Sequence, residues 1–413
     1  MPAPGPTGKF PQGFLWGVAT AAHQVEGGNR HNDWWEAEQG GKVPYRSGDA
    51  CDHYRLYEAD FDLLQAWGHN CHRFSIEWSR VEPEEGQWDS DAIEHYRQVI
   101  RALRIRNIEP VVTLHHFSNP AWFSRGGGWL RSDAARVFER YVVRVVEAFG
   151  SEVRFWITIN EPTVYVLQGY VNGIWPPFEQ GKRLKAARVL VALTTAHRKA
   201  YRAIKSRRPH AMVGFAHNAL QVEPCNAGRA TDRVAARLRS YLLNGLIFRL
   251  IGASFDFIGL NYYTRCCVRA GRRGMSLVLG RACTTEHHRH QGAKNAVGWE
   301  IYPRGLGIVL AEFARIGVPL FITENGVATD DDRLRCSFLD DHLQQVASAA
   351  HDGIKLLGYL HWTLMDNFEW HLGTGPRFGL VAVDPQTGAR KSRPSAELFA
   401  RICRGDTTRG GNR

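Results

Sequence analysis

Eight short apolar segments alternate along this chain with longer segments whose apolar residues recur at helical spacing. In the short segments, apolar residues follow one another without a polar residue at every second position, which is typical of strands buried on both faces. The predicted strands are Phe14–Ala19, Cys71–Glu77, Pro110–His115, Phe155–Asn160, Met212–His217, Phe255–Asn261, Pro319–Thr323 and Leu356–Trp362. Strands that alternate with helices in this way favour a parallel sheet covered by its own helices.

The segments between the strands predict helices over Asp91–Arg106, Ser132–Phe149, Arg183–Arg207, Leu306–Ile316 and Asp332–Asp352. Eight strands with helices between most of them predict the α/β class and a single (β/α)8 TIM barrel. An open doubly wound sheet is the alternative, but Gly126-Gly127-Gly128 does not follow a strand, as a dinucleotide site requires. We expect residues 10–403 to form the barrel, 1–9 a flexible N-terminal segment and 404–413 a flexible basic tail.

The charge and composition of the chain indicate which classes of binding partner and which cellular compartment to expect. The net charge of +11 could indicate nucleic acid, but isolated arginines along the chain carry the excess and no recognisable reader motif accompanies them. Apolar segments end well before the roughly 20 residues of a membrane span. The N-terminus lacks the pattern of a secretory signal, and the eight cysteines form no CxxC pair. We therefore expect a cytoplasmic protein with reduced thiols that binds neither nucleic acid nor membrane.

The carboxyl ends of barrel strands are where active sites form. Two carboxylates, Glu161 and Glu324, end two different predicted strands, beside His, Asn, Tyr and Trp residues. A lone carboxylate there often caps a helix or pairs with an arginine. Two carboxylates facing one pocket suit cleavage of a glycosidic bond, where one protonates the departing oxygen and the other meets the charge on the anomeric carbon. These patterns leave open which acid has which role.

Seven motifs resemble those of the family 1 glycoside hydrolases, the β-glucosidases and their relatives, in the family's order. The resemblance extends from Phe10 to about Phe399. Its motifs are Phe14-Leu15-Trp16-Gly17 with Gln24-Val25-Glu26-Gly27, Arg73-Phe74-Ser75-Ile76-Glu77-Trp78-Ser79-Arg80, Thr158-Ile159-Asn160-Glu161-Pro162, Gly259-Leu260-Asn261-Tyr262-Tyr263, Gly298-Trp299-Glu300-Ile301-Tyr302-Pro303, Ile322-Thr323-Glu324-Asn325-Gly326 and Asp366-Asn367-Phe368-Glu369-Trp370.

The resemblance implies a mechanism that retains anomeric configuration, with carboxyl groups about 5–5.5 Å apart. It assigns Glu161 as the general acid/base and Glu324 as the nucleophile. Arg73 and Tyr263 match residues that tune the nucleophile. For the sugar, the resemblance implies hydroxyl contacts from Gln24, His116, Asn160 and Glu369, a stacking floor at Trp362 and an indole N–H bond from Trp370.

The implied activity is a retaining exo-β-glycosidase, best described as a β-glucosidase that releases terminal β-D-glucosyl residues from a small β-glycoside or oligosaccharide. Galactosyl and fucosyl residues are further expected substrates. A carboxylate at Glu369 suits an unmodified hexose and repels a 6-phosphate. The segment Ala219–Ser254 is shorter than the family pattern usually has, and the resemblance therefore implies an open mouth with loose leaving-group selectivity. The alternatives are a transglycosidase and an inactive glycan-binding barrel.

Several residues receive structural interpretations. We expect His115 to be structural, Glu26 and Glu77 to pair with arginines, and Trp299 either to line the leaving-group side or to pack. Glu286-His287-His288-Arg289-His290 could bind a metal, but its spacing is not that of a helical zinc motif. We expect no metal and no cofactor. The oligomeric state is left open.

Overall fold

The computed structural model describes residues 10–272, 278–283, 292–384 and 386–406. Eight parallel strands close into a barrel. They are β1 (Leu15–Ala19), β2 (Cys71–Ser75), β3 (Glu109–Thr113), β4 (Phe155–Asn160), β5 (Met212–Asn218), β7 (Phe257–Asn261), β10 (Leu320–Asn325) and β11 (Leu356–Trp362). Their order around the barrel is β1-β11-β10-β7-β5-β4-β3-β2. The predicted (β/α)8 barrel is confirmed, and β4 and β11 have the predicted bounds.

Helices surround the barrel. They are α1 (Ala22–Val25), α2 (Asp33–Gln39), α3 (His53–Ala66), α4 (Trp78–Val81), α5 (Ser90–Ile105), α6 (Ala121–Arg125), α7 (Ala134–Phe149), α8 (Pro162–Val166), α9 (Arg183–Arg207), α10 (Ala230–Ser240), α11 (Leu246–Ile251), α12 (Pro303–Ala314), α13 (Asp332–His351) and α14 (Pro394–Arg404). Short 3₁₀ turns lie at Gly128–Leu130 and Trp370–Leu372, and π-helical turns at Leu167–Asn172 and Tyr241–Gly245.

Local sequence explains why these helices form where they do. Helix α5 begins after Asp89, whose carboxylate accepts hydrogen bonds from the backbone N–H groups of Asp91 and Ala92. In α7 the buried residues Phe138 and Val142 lie four positions apart, on one apolar stripe of the helix that faces the core. Packing of such stripes on a sheet buried on both faces accounts for the confirmed α/β layering.

Two small sheets lie outside the barrel, and the sequence patterns did not predict them. One contains β6 (Gln221–Pro224), β8 (Arg265–Arg269) and β9 (Arg281–Ala282), and the other contains β12 (Val381–Val383) and β13 (Arg390–Ser392). Within the described residues no helix is long and apolar enough to cross a membrane.

The first small sheet carries a disulfide between Cys225 and Cys283, so the expectation that all eight cysteines are thiols is wrong for this pair. The cysteines lie 58 positions apart in the sequence. Strand pairing brings them together, because the Cys225 backbone N–H bonds to Val268 O and that of Cys283 bonds to Cys267 O. Spacing along the chain could not reveal a contact made by this sheet.

The barrel interior is apolar along its length and polar at the carboxyl ends of its strands. Val111, Phe155, Ile157, Phe321 and Leu360 are buried in one apolar cluster within the barrel. Six of the eight strands end in polar residues, namely Ser75, Thr113, Asn160, Asn218, Asn261 and Asn325. The side chains of Asn160, Asn218 and Asn261 take part in one hydrogen-bonded network at the mouth. This arrangement places hydrogen-bonding groups over a rigid apolar support.

Candidate active site

Glu161 follows β4 directly and is buried at the barrel mouth. Its φ of 44° lies in the left-handed region, which is unfavourable for a residue with a side chain. The backbone N–H of Glu161 donates to Ala216 O at 2.8 Å, which ties this strained residue to β5. The carboxylate Oε1 accepts hydrogen bonds from Asn261 Nδ2 at 2.8 Å and Asn218 Nδ2 at 3.3 Å.

Glu324 lies in β10, and both of its carboxylate oxygens have partners. Arg73 Nη1 donates to Oε1 at 2.6 Å, and the Tyr263 hydroxyl donates to Oε2 at 2.6 Å. Arg73 is fully buried and also donates to Asn160 Oδ1 at 2.6 Å. The guanidinium therefore links the two strand ends that carry the two carboxylates.

The surroundings of the two acids favour a different protonation state for each. Burial, and next the negative charge of Glu324, raises the pKa of Glu161 to about 8. Burial also raises the pKa of Glu324, but Arg73 and the Tyr263 hydrogen bond oppose that rise. At neutral pH this site can hold a proton on Glu161 while its cation and hydroxyl stabilise a carboxylate at Glu324.

A second group of predicted residues forms a polar pocket beside these acids. Gln24 Nε2 donates to Glu369 Oε2 at 3.0 Å and to Asn367 Oδ1 at 3.1 Å. Gln24 Oε1 is buried without a hydrogen-bond partner among the described residues. Burial, and next Glu324, raises the pKa of Glu369 to about 8. A buried acceptor with no partner is costly, so this pocket suits a ligand that brings hydroxyl groups.

Aromatic rings form one side of this pocket. Trp362 is nearly parallel to the His116 ring, with centroids 5.8 Å apart. Asn160 Nδ2 lies 3.2 Å from His116 Nε2, and His116 Nδ1 is buried without a partner in the described chain. Trp370 packs against Trp34, with ring centroids 4.8 Å apart. The structure therefore brings all the predicted sugar-contacting residues to the mouth that holds Glu161 and Glu324.

The structural roles expected for His115 and Glu26 agree with the structure, whereas the arginine partner expected for Glu77 does not. His115 packs on Trp129 and bonds to Asn119, which agrees with a structural role. Glu26 pairs with an arginine, Arg80, as expected. The arginine partner expected for Glu77 is wrong, because its carboxylate accepts hydrogen bonds from the hydroxyls of Ser79 and Ser118. The segment from Glu286 to His290 lies outside the described residues.

Trp299, whose role the sequence left open, lies at the rim of the site. Its ring centroid is 5.4 Å from that of Tyr263, and 38% of its surface is exposed. Tyr263 in turn bonds to Glu324. A half-exposed tryptophan in this position is available to a leaving group, so the structure favours the first of its two interpretations.

The sequence patterns indicate no specific role for Asn261 and Thr323, although both lie in motifs that resemble those of the family. Thr323 Oγ1 donates to Asn261 Oδ1 at 2.7 Å, so the Asn261 amide must present its N–H groups on the other side. Those N–H groups bond to Asn160 Oδ1 and Glu161 Oε1. The position of Asn261 at a strand end was the available signal, but only the structure shows that it connects two strands.

Comparisons with known proteins agree with this geometry. The profile described as "Glycosyl hydrolase family 1" matches residues 6–252 and 248–407. A 1,4-beta-D-glucan glucohydrolase of Thermotoga neapolitana is 31% identical over 95% of this chain and 98% of its own. A 6-phospho-beta-galactosidase of Lacticaseibacillus casei is 30% identical over 95% and 98%.

The structure of a beta-glycosidase from Pyrococcus horikoshii superposes with a TM-score of 0.90 at 42% identity, over 96% of this chain and 95% of that one. The extent of this superposition shows that the two structures resemble each other over the whole barrel and not in the site motifs alone. With the family profile covering nearly every described residue, the chain belongs to glycosyl hydrolase family 1 and is a retaining β-glycoside hydrolase.

Proposed function

We propose that this chain is a β-glucosidase that removes terminal non-reducing β-D-glucosyl residues, and that it also accepts galactosyl and fucosyl residues. The observation that carries the proposal is the buried Gln24–Glu369 pair beside the two catalytic carboxylates, with Gln24 Oε1 lacking a partner in the described chain. One amide oxygen and one carboxyl group side by side can form hydrogen bonds with two adjacent sugar hydroxyls. The name of the Thermotoga neapolitana relative, a glucan glucohydrolase, supports glucose.

In the first step, a carboxylate oxygen of Glu324 forms a bond to the anomeric carbon while the bond from that carbon to the leaving oxygen breaks. Glu161 transfers its proton to the leaving oxygen in the same step. A pKa of about 8 supports this role, since Glu161 then carries a proton at neutral pH. Arg73 and Tyr263 hold the Glu324 carboxylate in place for the attack.

In the second step, Glu161 acts as a base. Once Glu324 is an ester it carries no charge, so the electrostatic contribution that raises the pKa of Glu161 disappears. Glu161 can then take a proton from water as the water oxygen bonds to the anomeric carbon and the ester bond breaks. Every group in the two steps is a side chain, so we propose that the reaction needs neither metal nor cofactor, and that EDTA leaves activity unchanged.

The remaining predicted residues bind the sugar in this proposal. Asn160 and His116 offer hydrogen bonds to hydroxyl groups, and Trp362 offers an apolar face to the ring. Trp370 contributes its indole N–H. Burial and the charge of Glu324 already disfavour a negative charge at Glu369, and a 6-phosphate would bring negative charge into the same buried pocket, so we propose neutral glycosides as substrates. This separates the chain from the Lacticaseibacillus casei relative named for a 6-phospho sugar.

The test uses an activated 2-deoxy-2-fluoro-β-glucoside, which slows release of the glycosyl-enzyme more than its formation. Intact mass and peptide mapping should find one adduct per chain on Glu324, and Glu324→Gln should form none. Absence of an adduct with the gluco, galacto and manno reagents would favour an inactive glycan-binding barrel.

A faster rate on a 6-phosphoglycoside than on its neutral counterpart would contradict the role of Glu369. Product analysis with added alcohol would reveal transglycosylation.

We also propose a cytoplasmic protein with small-molecule substrates and no nucleic-acid partner, in which residues 10–403 act as one barrel domain. Six of the eight cysteines are reduced thiols, which supports a reducing environment, whereas the Cys225–Cys283 disulfide is unusual in one. Thiol alkylation in intact cells, followed by mass mapping of Cys225 and Cys283, would test this. Complete pairing in cells would instead indicate an oxidising compartment.

A further inference from the structure

A basic cleft lies at the end of the barrel opposite the active site. Its volume is about 480 Å³, and the residues that line it come from the end of α5, from the connection between α7 and β4, and from the connection between α9 and β5. These connections precede the strands, whereas the catalytic residues follow them. Neither step of the proposed mechanism uses this cleft.

The cleft is lined by four arginines and a histidine, and by no carboxylate: Arg104, Arg154, Arg207, Arg208 and His210. Two of the arginines have acidic partners outside the cleft. Arg104 makes two hydrogen bonds to Glu109, at 2.7 and 2.8 Å, and Arg207 makes one to Glu147 at 3.1 Å. Their charge is therefore largely compensated.

The other two arginines are not compensated. Arg154 lies over the ring of Phe155, 4.8 Å from its centroid, and neither Arg154 nor Arg208 has an ionic partner in the described part of the chain. Arg208 Nε is buried and makes no hydrogen bond there. An arginine offers five donors and no acceptor, so a guanidinium whose buried Nε has no partner gains from an oxygen bound by its terminal N–H groups.

A structural explanation covers only part of this cluster. Cations are favourable near the C-terminal end of a helix, and Arg207 fits that account because Nη1 donates to Ala203 O in α9. No such bond exists for Arg154 or Arg208 within the described residues. At position 150, a Cβ would clash with Val146 O and lie 2.9 Å from Arg208 Nε, so glycine is the residue that lets Arg208 pack against the end of α7.

We propose that this cleft binds the phosphate group of a small phosphorylated metabolite, with Arg154 and Arg208 as its principal ligands. Planar guanidinium groups match the oxygens of phosphate in pairs, and the absence of a carboxylate from the lining removes a source of repulsion. The cleft is larger than phosphate alone requires and falls within the range of about 300–1,000 Å³ typical of small-molecule sites. The net charge of +11 favours approach of an anion.

Isothermal titration calorimetry on the whole chain tests this proposal, with inorganic phosphate, glucose 6-phosphate and ATP as probes. Titrations run at constant ionic strength near 0.15 M, where generic surface attraction is screened beyond about 8 Å. We expect one saturable site per chain. Arg154→Gln and Arg208→Gln should each weaken binding by roughly 10-fold or more, since each removes a charge-assisted pair of hydrogen bonds.

The matched control is Arg188→Gln, which removes the same charge from an exposed position on α9 that does not line the cleft. It should change affinity less than two-fold, and all three variants should retain activity on an aryl glucoside.

The relative affinities of the probes then identify whether free phosphate, a sugar phosphate or a nucleotide is preferred. Absence of saturation by 20 mM probe, about the limit at which such weak binding is measurable, would overturn the proposal, as would equal weakening by Arg188→Gln. Binding of duplex DNA alone would overturn it too.

Discussion

At the residue scale, the raised pKa of Glu161 has two separable causes, burial and the charge of Glu324. Glu324→Gln removes the charge and leaves the burial. Because a neighbouring negative charge disfavours ionisation, its removal should lower the pKa of Glu161 from about 8, by about one unit or more. Carbon-13 NMR titration of the Glu161 carboxyl measures this change. An unchanged pKa would mean that burial alone is responsible, and the proposed switch from acid to base would lose its cause.

Thr323 provides a second residue-scale prediction. Thr323→Val keeps the shape of the side chain but removes the hydroxyl that orients the Asn261 amide. We expect kcat/KM to fall roughly 10- to 100-fold, because Asn261 can then turn its oxygen toward Glu161. The Asn261 hydrogen bond lowers the pKa of Glu161, so its loss should raise that pKa and move the alkaline limb of the pH profile to higher pH.

Thr323→Ser is the control for this variant, since it restores the hydroxyl and should recover most of the activity. A merely structural role for Thr323 would lower the amount of folded enzyme without moving the alkaline limb. An unchanged limb in Thr323→Val would therefore contradict the positioning role, whatever happens to the overall rate.

At the scale of secondary structure, the small sheet of β6, β8 and β9 supports the segment that carries Trp299. Arg265 in β8 makes two hydrogen bonds of 2.8 Å to Glu300 and one of 3.0 Å to Glu223 in β6. These bonds fix the residue next to Trp299. Since Trp299 lies at the rim beside Tyr263, the sheet should affect the leaving group more than the sugar.

Arg265→Gln should therefore raise KM for a disaccharide by about 3- to 10-fold, because Glu300 and Glu223 lose their ion pairs with Arg265 and the Trp299 segment loosens. Breakdown of the glycosyl-enzyme, in which the leaving group has gone, should change little. Steady-state kinetics with cellobiose and burst kinetics with an activated aryl glucoside distinguish these effects. Arg237→Gln, at an exposed position on α10, is the matched control. A slower breakdown step with unchanged KM would contradict this prediction.

The sequence predicted the barrel strands and long helices better than the small sheet outside the barrel. Buried barrel strands such as Phe155–Asn160 are continuous apolar runs, and α9 keeps its spacing over Arg183–Arg207, so both were predicted with their observed bounds. The sheet of β6, β8 and β9 has strands of two to five residues with mixed burial, and its pairing joins residues far apart in sequence. Local periodicity carries no signal for such contacts, which is why the Cys225–Cys283 disulfide was also missed.

At the scale of the whole molecule, the barrel keeps its buried acids and its uncompensated arginines at opposite ends. The carboxyl ends of the strands hold Glu161 and Glu369, each with its pKa raised to about 8, while the other end holds Arg154 and Arg208. A rigid apolar barrel can tolerate both groups because most of its stability comes from packing elsewhere. The acids then make stability depend on pH in a direction that can be worked out.

The pKa of Glu161 rises from 4.5 to about 8 on folding, so between these values the folded chain binds a proton that the unfolded chain has released. Stability from this group is complete below about pH 4.5 and is lost as pH rises through about 8. Glu161→Gln cannot ionise and avoids that loss. Its Tm should equal that of the wild type near pH 5 and exceed it by about 2–5 °C near pH 9.

Differential scanning calorimetry of both chains across this range measures the difference. The control is Glu397→Gln, an exposed acid on α14, whose Tm should follow the wild type at every pH. If the Glu161→Gln and wild-type curves run parallel, Glu161 is already ionised in the folded chain at neutral pH. The site would then lack the proton that its first step must deliver, so a measurement of stability alone bears directly on the chemistry proposed for the barrel mouth.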